Sequence, residues 1–212
     1  KLTDRILSFS AVKVAYDGVS FRELNRINQF INPEMQISQE ISSINGITNE
    51  MVVDKPTEDE AAGIIRNFIG ENSLIAGYNS KNFDEGFVDA MYQRVFGENF
   101  SYDLHIDVFP MAKELLESDK YKLSVVAEKY GLDMGLTFHQ SMDDVIATTR
   151  VLQLALGVYK KRIREKELGI EQPKQFEYFK IYNARLYAPS HKVERIYVAT
   201  NPKTKTYYDG YK

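Results

Sequence analysis

His139 stands five residues ahead of Asp144 in the stretch His139-Gln140-Ser141-Met142-Asp143-Asp144, at the mouth of a long helical segment. The spacing puts the histidine before the helix and Asp144 in its first turn. Such a pair can share one site. The carboxylate can hold a hard divalent cation, and the imidazole can take a proton from a water bound there. The plainer alternative is a carboxylate favoured by the helix dipole, with a loop histidine nearby. A second group, Asn79-Ser80-Lys81-Asn82-Phe83-Asp84, follows a short apolar run. It places Asp84 at the start of a helix just beyond a strand, where α/β sheets bind ligands. Its plainer alternative is a helix cap.

The surrounding pattern supplies the elements that must position these residues. Residues 5–16 alternate as a strand, Asp17-Gly18 turns the chain, and residues 20–31 return as a second strand. Residues 37–52 read as short helical pieces broken at Gly46. Thr57-Glu58-Asp59-Glu60 has the form of a capping box, and a helical spacing follows it. Residues 73–78 (SLIAGY) suit a buried strand. A helix follows over 84–96, with Phe87, Met91 and Val95 on one face. Residues 104–109 predict another strand, and Pro110 is expected to open a helix reaching about Ser118. A short helix over 122–130 ends at Gly131. The longest helical stretch runs from about Ser141 to about Leu168, apolar first and basic at its end. Strands buried by helices in this order make an α/β layout.

Charge divides the chain. Residues 1–159 hold 14 Lys and Arg against 24 Asp and Glu, whereas residues 160–212 hold 13 against 6. Seven of the 14 Tyr lie within 174–212. We therefore expect a main body over 1–168 and a small, basic, Tyr-rich antiparallel β appendage over 174–212. Residues 193–200 form one of its strands, and 205–211 its return strand. An acidic body with a basic arm suits a metal-using enzyme that binds a polyanion; solvated faces give the same pattern. Cysteine is absent, so disulfides, thiolate metal sites and a thiol nucleophile are excluded. No apolar run approaches membrane-spanning length and no leader is legible, so a cytoplasmic setting is expected.

Taken together and in order, these segments resemble the DEDDh 3′–5′ exonucleases, the family of the proofreading epsilon subunit of bacterial replicative polymerases. The resemblance covers roughly residues 4–160. DRILSFSAVKV looks like the family's second strand and FINPEMQIS like the end of its third. NGITNEMV resembles the Gly-Ile-Thr loop, and LIAGYNSKNFDEGFV the second exonuclease motif. HIDVFPMAKELL and YKLSVVAEKYGL match the connecting strand and helices. HQSMDDVIATTRVL matches the third motif in its histidine-bearing form.

The resemblance implies a ribonuclease H-like mixed sheet flanked by helices. It also implies a two-metal reaction with Mg²⁺ or Mn²⁺ that releases nucleoside 5′-monophosphates from nucleic-acid 3′ ends. Asp144 and Asp84 would be metal ligands and His139 the general base. Gly46, Ile47 and Thr48 would lie beside the terminal nucleotide, with Asn79 or Asn82 as a polar partner. Phe83 is expected in the core, Asp143 in solvent, and His105 and Asp107 in structural roles; Asp107 could orient a loop. Single-stranded 3′ ends are the expected partner, DNA ahead of RNA. A polymerase or helicase is a candidate associate.

Three departures matter. Asn45 stands where the family often has His. The second motif carries one residue more between its Asn and Asp than the commonest form. No Asp in the chain has Glu two positions later, so the family's first motif, Asp-x-Glu on the central strand, is missing. The expectation is that the natural chain continues upstream of Lys1, and that strands 5–16 and 73–78 do not pair directly. Strand 193–200 is the one other candidate for the slot between them, and its basic character makes it a poor one. Two further readings stay open: a nucleic-acid-binding module that has lost catalysis, and a protein-interaction domain.

Overall fold

The computed structural model describes residues 4–71, 73–138 and 141–169, together with the backbone of 180–185 and 195–200. The hairpin forms where the turn chemistry demands it. Strand β1 (Ser8–Tyr16) pairs antiparallel with β2 (Phe21–Phe30). Asp17 Oδ1 accepts the N–H groups of Val19 and Ser20 at 2.8 and 2.7 Å, and these donors hold its carboxyl below the usual range. Gly18 supplies the positive φ of 96°. The register slips between Lys13 and Val14, leaving Leu24 of β2 without a partner.

Helix α1 (Gln39–Asn45) starts at Ser38, whose side chain caps it, and stops at Gly46 in the left-handed region. The single turn α2 (Asn49–Val52) follows. The capping box at Thr57 and Glu60 forms and opens α3 (Glu58–Ile69). Strand β3 (Leu74–Gly77) leads into α4 (Asp84–Phe96), which crosses over to β4 (Leu104–Asp107). The two strands are parallel, with Gly77 opposite Asp107. Helix α5 (Val108–Leu115) begins two residues ahead of Pro110, because Asp107 caps it. Pro110 then sits in the first turn, where its missing N–H costs nothing. Helices α6 (Leu123–Lys129) and α7 (Ser141–Glu167) complete the body. Strands β5 (Lys180–Arg185) and β6 (Arg195–Thr200) pair antiparallel in a two-stranded sheet. The expected return strand over 205–211 lies outside the described residues.

Alternation along β1 sorts the layers. Phe9 packs with Ile31, Ala61, Ile65, Val88 and Met91 of the α3–α4 side. Tyr16 packs against Val108, Val126, Val151 and Leu156 of the α5–α6–α7 side. Helices therefore cover both faces of the hairpin.

Among the described residues, β1 pairs only with β2 and β3 only with β4. The direct β1–β3 ladder that would exclude an intervening strand is thus not formed, and β5–β6 does not fill the slot. One expectation needs correction here. The apolar run 73–78 predicts a buried strand, yet Leu74, Ile75 and Gly77 are half-buried and Ala76 is exposed. With a neighbour on one edge only, β3 lacks the cover that a central strand receives.

Candidate active site

The turn from β3 to α4 carries Asp84, and its shape follows from four residues. Gly77 has no alternative: a Cβ there would stand 2.3 Å from Ser80 Oγ. Asn79 takes a positive φ of 57°, which Asn tolerates better than most residues. Its side chain accepts Asn82 Nδ2–H at 3.0 Å, so the two candidate polar partners lie side by side. The Ser80 carbonyl accepts the N–H groups of Phe83 and Glu85 at 3.2 and 3.0 Å and so closes the turn into the helix.

Strand β4 pins this turn from beneath. Asp107 Oδ1 accepts Asn79 N–H at 2.9 Å and Phe109 N–H at 3.1 Å. One carboxylate thus orients the turn and caps α5, the loop-orienting role expected of it. His105 is 5% exposed and uses both ring nitrogens. Nδ1 lies 2.9 Å from Glu85 Oε2, and Nε2 lies 2.8 Å from Ser80 Oγ. The other Glu85 oxygen accepts the Tyr102 hydroxyl, and the Tyr102 ring stands edge-on to His105. An ionised carboxylate only accepts, so the network assigns the neutral-ring proton to Nδ1 and makes Nε2 the acceptor of the Ser80 hydroxyl.

Burial pushes the His105 pKa down, with Lys81 adding to the effect, while Glu85 and Asp107 pull it back up. Burial also pushes the Tyr102 hydroxyl up, reinforced by Glu85. The folded protein therefore binds a proton at His105 less readily than the unfolded chain, whose histidine titrates near ~6.5. Stability should be full above that pH and fall as the pH drops below it. Denaturation in urea at pH 7.5 and pH 5.5 checks this. An acid loss of stability as large in His105→Gln as in the parent would assign it to other groups.

The second candidate group opens α7, which starts beside β1, with Ser141 Oγ 2.6 Å from Ser10 Oγ. Asp144 occupies the first turn and is half-buried. Asp143 is not merely solvated, as the sequence suggested: its Oδ2 accepts Thr137 N–H at 2.7 Å. Arg150, two turns further along α7, donates to the carbonyls of Leu132 at 2.7 Å and Met134 at 3.0 Å. The segment leading to His139 is thus tied to α7 from both sides. His139 itself lies outside the described residues.

In the Gly-Ile-Thr loop, Asn45 Oδ1 accepts Ile47 N–H at 2.9 Å, so the Asn45 side chain is used locally. Ile47 turns into a small core with Ile37 and Val52. Gly46 stays exposed and Thr48 half-buried. Of the three, Gly46 and Thr48 keep a surface toward solvent. Phe83, expected in the core, is 59% exposed and packs on Phe87 at a centroid distance of 5.1 Å. It stands at the head of α4, and the cluster that takes Met91 does not include it.

The donor chemistry of Asp84 and Asp144, hard carboxylate oxygens, suits Mg²⁺ or Mn²⁺. Among the described residues, no group of three or more His, Asp or Glu gathers to make a complete cage. Two residues that matter to the site were missed from the sequence. Glu85 carried no signal beyond a helix-start acid. Arg150 carried none, because its partners are backbone carbonyls 16 and 18 residues away.

The antiparallel hairpin, the parallel β3–β4 pair and helices on both faces define a ribonuclease H-like domain. The exonuclease model of the RNase T family matches residues 1–152. The chain belongs to this exonuclease family, as its resemblance to the DEDDh enzymes implied. It is similar to the PolC-type DNA polymerase III of Thermotoga petrophila, 34% identical over 160 residues that make up 74% of this chain and 11% of that protein. It is 28% identical to the PolC-type DNA polymerase III of Staphylococcus aureus over 79% of this chain and 11% of that protein. The chain thus spans about a tenth of the length of these curated relatives. Among solved structures it is similar to exonuclease X in complex with 5′-overhanging duplex DNA. That match has a TM-score of 0.56 and 21% identity, covering 76% of this chain and 87% of that one. It is also similar to the zinc-bound E. coli exonuclease I–single-stranded DNA complex. There the TM-score is 0.62 and the identity 18%, over 79% of this chain and 41% of that one. These two likenesses support the fold.

Proposed function

We propose that the chain is a metal-dependent 3′–5′ exonuclease acting on single-stranded DNA ends. The observation that carries this reading is the pinned turn beyond β3, which sets Asp84 at the C-terminal edge of a parallel strand pair in a chain of the exonuclease family. Asp84 and Asp144 would hold the divalent ions across that edge. Further carboxylates, of the Asp-x-Glu kind, would complete the ligand set. Bound ions would neutralise charge on the scissile phosphate and make water a better nucleophile. His139 would take the proton of the attacking water at a ring nitrogen. Gly46 and Thr48 would contact the terminal nucleotide, with Ile47 buttressing them from the core, while Asn79 and Asn82 present one amide pair beside Asp84. The DNA polymerase relatives and the DNA-bound structural neighbours favour DNA over RNA.

The basic segment beyond Leu168 would add phosphate contacts and aromatic faces rather than chemistry. No described helix is long and apolar enough to cross a membrane.

The test is digestion of 5′-labelled single-stranded DNA by the full-length protein. Stepwise shortening from the 3′ end is expected, stopped by a chelator and restored by Mg²⁺ or Mn²⁺. KM should rise with salt, and less steeply once residues 174–212 are removed. Shortening from the 5′ end, or indifference to chelation, would overturn the assignment. A second reading, a binding module without catalysis, draws on the absence of Asp-x-Glu from the 212 residues. It predicts DNA retention without cleavage in the same assay.

A further inference from the structure

We propose that His105 is a positioning residue for Asp84, acting through Ser80 and Glu85 without touching substrate. This rests on the reading of Asp84 as a metal ligand and extends it to the residues beneath. The two pins fall on either side of Asp84 in the chain. Ser80 precedes it by four residues and Glu85 follows it by one, and one buried imidazole holds both, at 2.8 and 2.9 Å. The Ser80 carbonyl meets Glu85 N–H at 3.0 Å, which closes the loop between the pins. Residues 81–84 are therefore spanned by a clamp whose anchor is strand β4. Asp107, two residues along the same strand, adds a third hold through Asn79.

The chemistry of the clamp selects histidine. The ring must donate to an acceptor-only carboxylate on one side and accept a hydroxyl proton on the other. A neutral imidazole does both from one rigid plane. Burial keeps the ring neutral, and edge-on contact with Tyr102 fixes its tilt. Six residues, 78–83, separate β3 from Asp84 at the start of α4. An unsupported turn of that length has many ways to place Asp84 off its mark. A shift of a few tenths of an ångström in a carboxylate ligand weakens coordination, and outer partners of metal ligands commonly matter by about 10–100-fold in affinity or activity.

Ser80, His105 and Glu85 also have the hydrogen-bond order of a nucleophile, base and acid. Ser80 is buried and spends its hydroxyl on the clamp, so the positioning role accounts for the geometry.

The experiment measures Mn²⁺ binding by calorimetry, together with kcat and KM on single-stranded DNA, in the full-length protein. His105→Ala should weaken Mn²⁺ binding and lower kcat by about 10–100-fold, with KM for DNA within about twofold. His105→Gln, whose planar amide carries a donor and an acceptor, should recover part of the loss. Ser80→Ala removes a single oxygen and is the gentler probe should His105→Ala fail to fold. It should shift Mn²⁺ affinity in the same direction by several-fold on the scale of such partners. Asp84→Ala separates the two levels. Wild-type Mn²⁺ affinity in Asp84→Ala would overturn the reading of Asp84 as a ligand. Wild-type affinity and kcat in folded His105→Ala or Ser80→Ala, alongside an impaired Asp84→Ala, would overturn the clamp alone.

Discussion

Asp144→Ala should lower kcat of the full-length protein on single-stranded DNA by at least the 10²–10⁴-fold typical of a lost general base, and His139→Ala by about that range. The two losses have different signatures. Asp144 sits in the first turn of α7, half-buried, where the helix dipole favours a carboxylate and where the proposal puts a divalent ion. Its removal should raise the Mn²⁺ concentration needed for half-maximal activity. His139→Ala should leave that concentration unchanged and flatten the rise of kcat with pH through the histidine range. Because Asp143 holds Thr137 N–H at 2.7 Å, Asp143→Ala also perturbs the site, but through the approach to His139 rather than through metal. Its Mn²⁺ requirement should match the parent's. Full activity in Asp144→Ala would refute the assignment of Asp144, and an unchanged pH profile in His139→Ala that of His139.

What could be read from the sequence divides along a physical line. Elements governed by local chemistry were legible. The Asp17-Gly18 turn, the break at Gly46, the capping box at Thr57 and Glu60, and the stop at Gly131 each depend on residues within a few positions. The order of these elements was enough to reach the exonuclease family. Properties set by distant partners were not legible. The exposure of β3 depends on which strand lies beside it, and the apolar run alone could not tell. Phe83 reads as core because phenylalanine usually is, yet at the head of α4 it is exposed. Asp143 read as solvated because the histidine spacing selects its neighbour, but Thr137 had folded back to meet it. The clamp was least visible of all. Ser80, Glu85, Tyr102 and His105 are ordinary residues in sequence, and only the crossover from β3 through α4 to β4 brings them together.

The frame that carries α4 depends on one buried charge, and breaking its pairing should cost more than any surface change. Glu58, first residue of α3, is 8% exposed. Arg94 of α4 meets it with two nitrogens, Nε at 2.8 Å from Oε2 and Nη2 against Oε1. Arg5, ahead of β1, lies 3.4 Å from the same Oε2. The carboxylate thus ties α3, α4 and the entry to β1 at one point, and Glu58 holds the Arg94 guanidinium above its usual range. Replacing Arg94 by Met keeps volume and removes the charge, leaving Glu58 buried with Arg5 as its nearest cation. Loss of one member of a buried pair costs about 3–5 kcal/mol. Arg5 is more exposed and less well aligned, so it offsets part of this, and a loss near the lower end is expected. For a domain of this size that corresponds to a Tm drop of roughly 6–12 °C. Glu58→Met combined with Arg94→Met should recover most of the loss, because an apolar pair of similar volume carries no desolvation penalty. Urea denaturation of the parent, the single variant and the double variant measures all three. A single variant within about 1 kcal/mol of the parent would mean that Arg5 or water already satisfies Glu58, and that the α3–α4 contact rests on the apolar packing of Ile65, Val88 and Met91 instead.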